Sequence, residues 1–141
     1  LIMDLATSLA ERESAHIHVV HAWNIEEEKF LTTGRSLLSA TELRVLMSSK
    51  EARHREALNK MLSTYALPED SYQSHLVKDI PAKAISRYSR KLDADLIVMG
   101  TVGKNRIPGI LIGSTAEDVL QSTQTSVLAV KPDDFVSPVT T

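Results

Sequence analysis

The chain has 141 residues, of which 43% are apolar and 24% charged, with a net charge of −2 and no cysteine. That is the composition of one soluble domain whose core needs no covalent staple. It excludes disulfides, thiolate metal sites and thiol chemistry, and suits a cytoplasmic setting. It offers no basic footprint for nucleic acid and no polybasic membrane patch, and no apolar run approaches the roughly 20 residues that cross a bilayer. In chain order, residues 1–13 read as an amphipathic helix, with Leu1, Ile2, Leu5, Ala6, Leu9 and Ala10 on one face and no cap before them. This start inside a helix predicts that something lies upstream of it. His16 to Trp23 (HIHVVHAW) is short, apolar and β-branched, as a buried strand requires, and Glu26 to Arg35 reads as a polar loop.

Ser39, followed by Glu42 and Leu43, is a capping-box signature. It opens a helix of about 27 residues, whose apolar face is interrupted by a charged middle, Lys50 to Arg55. That length leaves a break or bend open, and Pro68 ends the helix. Tyr72 to Val77 reads as a polar edge strand. Pro81 suits the first turn of a helix with Ile85, Tyr88 and Leu92 as its apolar face. Leu96 to Met99 (LIVM) predicts an inner parallel strand, Gly100 to Ile112 a loop, Ser114 to Thr123 a helix, and Ser126 to Val130 (SVLAV) the last strand. Pro132 to Thr141 reads as an extended tail. Strands and helices alternate throughout, which predicts a parallel α/β sheet.

Ligands of such sheets sit beyond the carboxyl ends of the strands. There the LIVM strand runs into Gly100-Thr101-Val102-Gly103-Lys104, and the loop ends at Gly113-Ser114-Thr115, a G-x2-G-x9-G-S-T arrangement. Gly100 and Gly103 let backbone approach a ligand closely. The helix that opens at Gly113-Ser114-Thr115 has amides without internal partners, which together with its dipole favour phosphate. Lys104 and Arg106 add positive charge. A purely structural reading stands beside this one: Ser114 with Glu117, and Thr115 with Asp118, are themselves capping-box patterns. Neither a P-loop nor a G-x-G-x-x-G fingerprint is present.

Asp95 to Lys104, Leu111 to Leu120 and Val127 to Pro132 together resemble the nucleotide loop and closing strand of the universal stress proteins. The Gly-Thr-Val-Gly loop, His21-Ala22-Trp23 and the tail Asp134 to Val139 look most like the second domain of the tandem, E-type members. The resemblance implies a Rossmann-like fold of the adenine nucleotide alpha hydrolase type. Its open parallel sheet has the order 3-2-1-4-5, with the first strand missing from this chain. Residues 1–131 would be the domain and 132–141 the tail. It also implies a stress-response module binding ATP, with Mg2+ arriving through the nucleotide. Adenine would meet Ala22, and ribose and phosphates would meet Met99, Gly100, Gly103, Gly113, Ser114 and Thr115. Lys104 stands where relatives often have arginine, and keeps the charge without the planar fork.

Family members commonly pair through their last strand. The resemblance therefore implies a homodimer, or pairing with a sister domain, through Ser126 to Val130. A dimerisation module without nucleotide, or a binder of an apolar ligand along Ile107 to Ile112, are the alternatives. No serine, histidine and acid are spaced to form a nucleophile, so binding with at most weak ATPase activity is expected. His16 and His18 alternate onto one strand face and His21 onto the other, with no acidic or cysteine partner nearby in sequence, so no protein-bound metal is expected. Asp93 and Asp95 read as helix-end and strand-entry residues, and Trp23 as packing.

Overall fold

The computed structural model describes residues 1–23, 38–101 and 112–133. The elements are α1 (Ile2–Glu13), β1 (Ile17–Trp23), α2 (Ala40–Ser63), β2 (Tyr72–Lys78), α3 (Pro81–Lys91), β3 (Leu96–Gly100), α4 (Ser114–Ser122) and β4 (Ser126–Val130). Strand and helix alternate as the sequence predicts, and the fold is α/β and Rossmann-like. The predicted loop 26–35 and most of the tail lie outside the described residues. The chain divides into two compact units, one of residues 1–17 and 81–141, the other of residues 18–80.

In the first unit β3 and β4 pair in parallel, Leu96 opposite Ser126 through Gly100 opposite Val130. Helix α1 packs on β3, and α3 packs on α4. The faces used differ from those expected. Helix α3 buries its small residues Ala82, Ala84, Ser86 and Ser89, while Ile85, Tyr88 and Leu92 are only half-buried. Small side chains let two helix backbones approach closely, and the Ser86 and Ser122 hydroxyls hydrogen-bond across the seam at 2.7 Å. On α4 the buried residues are Ala116 and the fully buried Val119. Strand β3 was expected to be an inner strand, yet Leu96 is exposed and the rest of LIVM is half-buried. Among the described residues its ladder has a single partner, β4, which leaves one edge less covered than an inner strand's. Asp93 ends α3 with φ 49°, in the left-handed region that Asp tolerates, and so has the helix-end role expected of it.

In the second unit β1 pairs with β2. The Asp79 N–H, just past the end of β2, donates to the carbonyl of Trp23 at the end of β1 at 3.1 Å, so the two strands run the same way. Helix α2 runs 24 residues as one α-helix through its charged middle and ends before Pro68. Its capping box forms as predicted: the Glu42 N–H donates to Ser39 Oγ at 3.2 Å, and the Ser39 N–H donates to Glu42 Oε2 at 2.7 Å. That backbone bond, reinforced by the Ser39 hydroxyl, holds the Glu42 carboxyl below the usual carboxylate range. The buried face of α2 is Leu58 and Leu62, and with Trp23 and Val77 these are the buried apolar residues described in this unit.

Candidate functional site

The sequence places the site where β3 gives way to the loop and the loop to α4. The structure ties those points together through a residue the sequence reading passed over. Thr101 is 4% exposed and follows directly on β3. Its N–H donates to the carbonyl of Val130, the last residue of β4, at 2.9 Å, and its own carbonyl accepts from the Gly113 N–H at 2.6 Å. A longer contact of 3.4 Å runs from its hydroxyl to the same Val130 carbonyl. Gly113, Ser114 and Thr115 thus sit beside the carboxyl end of β3, where Met99 and Gly100 are half-buried. No local signal marks Thr101, because the two short bonds are made by its backbone and depend on which segments meet there.

The start of α4 differs from the capping-box reading. Its N-cap is Gly113, one residue earlier than Ser114, and no side chain makes a cap hydrogen bond there. Ser114 is exposed as the first helical residue, and the first intrahelical bond is Glu117 N–H to the Gly113 carbonyl at 3.0 Å. Glu117 accepts a long 3.4 Å bond from Gln121 Nε2, one turn further along, rather than folding back over the helix end. A helix that begins on glycine has first-turn amides and a positive dipole end without a side-chain acceptor of its own. Gly113 has φ −79° and ψ 159°, extended backbone that any residue adopts. What its lack of a side chain changes is the room in front of those amides.

Of the remaining predicted residues, Gly103 and Lys104 lie outside the described residues, as does most of the apolar run from Ile107. Ala22 is half-buried, the last residue but one of β1, in the second unit. Its neighbour Trp23 is 4% exposed and stacks on His54 of α2, with ring centroids 5.6 Å apart, as the packing role predicts. Lys78 Nζ lies 6.0 Å from the centre of the same indole.

Residues 2–131 match the model of the Universal stress protein family. The chain belongs to that family. It is 30% identical over 86 residues to Universal stress protein E of Escherichia coli K12, an alignment covering 61% of this chain and 27% of the relative. A crystal structure of a universal stress protein from Pseudomonas aeruginosa UCBPP-PA14 is 30% identical, with a TM-score of 0.67 over 94% of this chain and 40% of that one. A universal stress protein crystallised with cAMP shares the fold at a TM-score of 0.56 and 22% identity, over 91% of this chain and 82% of that chain. The chain spans about a quarter of the length of the E-type relative. No helix among the described residues is long and apolar enough to cross a membrane.

Proposed function

We propose that this universal stress protein domain binds an adenine nucleotide, ATP, as a regulatory module. The observation that carries this reading is the glycine-capped start of α4 beside the end of β3, where amides without a side-chain cap meet the positive end of a helix. Phosphate oxygens would take the amides of Ser114 and Thr115 and their hydroxyls. Met99 and Gly100 would meet the ribose, and Gly103 and Lys104 would close over the phosphates. Mg2+ would come with the triphosphate. A fold neighbour crystallised with cAMP, an adenine nucleotide, lends support. Binding would bias a partner surface beside the start of α4.

Isothermal titration with ATP tests this, beside a melting curve with and without nucleotide. One ATP per chain is expected, with a melting temperature that climbs as ATP exceeds its Kd. A Kd of about 1 mM is already only about −4.1 kcal/mol. A protein that gives neither heat nor a melting shift at that concentration does not bind ATP in this way.

A second reading, pairing through β4, has its own observation. Leu128 and Ala129 are exposed, and among the described residues β4 pairs only with β3. An apolar edge strand is a template for another chain. The wild-type protein is then expected to scatter light as a dimer, and Val127→Lys as a monomer. A wild-type protein already monomeric at high concentration removes this reading and leaves the first untouched.

A further inference from the structure

The first amides of a helix have no partners inside it, and an anion can use only those that the protein leaves free. At α4 the first of them, on the N-cap Gly113, is already spent. It donates to the Thr101 carbonyl at 2.6 Å, a short bond for an N–H donor. Among the described residues no acceptor takes the next two, on Ser114 and Thr115. Thr101 is tied to the sheet in its turn. Its N–H donates to the Val130 carbonyl at 2.9 Å, just beyond Gly100 and Val130, the last pair in register. One residue thus holds the sheet with its amide and the start of α4 with its carbonyl.

We propose that Thr101 is a positioning residue for the phosphates, whose buried, branched side chain fixes the start of α4 before a ligand arrives. This rests on the nucleotide reading above. Both short bonds are made by backbone, so what the side chain supplies is a fixed direction for them. Gly100, the residue before, places little restriction on the chain. A β-branched residue is stiff, and burial holds it in one arrangement. Thr101 is 4% exposed, whereas Gly100 and Gly113 are half-buried.

The hydroxyl is the lesser part of that side chain. Its 3.4 Å contact with Val130 is long, and the same carbonyl keeps the Thr101 N–H when the hydroxyl is removed. With the Gly113 amide held inward, phosphate is left the amides from Ser114 onward. Gly113 contributes room and not a donor. Donors fixed in advance spare the ligand the cost of ordering them.

Amide exchange followed by nuclear magnetic resonance tests this first without nucleotide. The Gly113 amide is expected to be protected at least about tenfold more than those of Ser114 and Thr115. ATP should then shift the Ser114 and Thr115 amides and leave that of Gly113 on Thr101. Thr101→Gly should speed Gly113 exchange and weaken ATP binding about tenfold, the scale of fixing one freed backbone residue. Thr101→Val keeps the branch and the volume, and should stay within about threefold of wild type in both.

A Gly113 amide that exchanges as fast as its neighbours overturns the proposal, and this wild-type result stands even if the glycine variant fails to fold. So does a Thr101→Val variant as weak as Thr101→Gly, which would give the role to the hydroxyl. Wild-type protein that takes up no ATP removes the nucleotide reading and this inference together. Wild-type binding matched by Thr101→Gly removes this inference alone.

Discussion

Changing Gly113 to aspartate is expected to leave the protein folded and to weaken ATP binding at least a hundredfold. The two effects separate because glycine is not required there by its backbone. At φ −79° and ψ 159° an aspartate fits without strain, and it is a better N-cap than glycine by a few tenths of a kcal/mol. The nucleotide-free melting temperature should therefore stay the same or rise slightly. Binding moves the other way: the new carboxylate takes a first-turn amide for itself and sets a negative charge where the phosphates would lie. Losing one or two charge-assisted hydrogen bonds at about 1.5–3 kcal/mol each, with repulsion added, accounts for about 2.7 kcal/mol, which is a hundredfold in Kd. Calorimetric titration and nucleotide-free thermal melting read the two quantities separately. An aspartate variant that binds ATP within about threefold of wild type would show that the start of α4 is not the phosphate cradle.

What the sequence made legible was what a few neighbouring residues decide among themselves. The capping box of Ser39 and Glu42 is closed by three residues of spacing, and it formed as read. The strand Ser126–Val130 is bounded by its own β-branched run, and its limits were read correctly. Helix α2 was placed correctly, and where its length left a break open it runs unbroken from Ala40 to Ser63. Tertiary choices were harder to read. Ile85, Tyr88 and Leu92 gave the stronger apolar signal on α3, but Ala82, Ser86 and Ser89 form a buried face, because close helix contact rewards small size as well as hydrophobicity.

The candidate site divides in the same way. The glycines and hydroxyls around Gly113 were visible as a pattern, whereas which residue caps α4 was not. Gly113 and Ser114 are both acceptable N-caps, and the choice follows from the Gly113 N–H being held by Thr101 across the loop. The importance of Thr101 comes from three chain segments meeting at one peptide, which no local window contains. The pairing of His18 with His75 is of the same kind: alternation gives the face, but only strand pairing gives the partner.

Trp23→Ala is expected to cost about 3–5 kcal/mol, the range for removing a buried tryptophan. Four apolar residues are described as buried between 18 and 80, and Trp23 is the largest of them, at 4% exposure. Its indole packs on the inward face of α2 through His54 and lies under the ammonium of Lys78, while its carbonyl takes the Asp79 N–H. The backbone bond survives the substitution, so the loss comes from packing and from the cavity left between β1 and α2. Set against a total stability of about 5–15 kcal/mol for a domain, such a loss takes the protein close to its unfolding midpoint. Trp23→Phe keeps a ring against His54 and should cost clearly less. Urea unfolding followed by far-ultraviolet circular dichroism checks both variants without relying on tryptophan fluorescence. An alanine variant within about 1 kcal/mol of wild type would mean that the β1–α2 contact is not what holds this unit together.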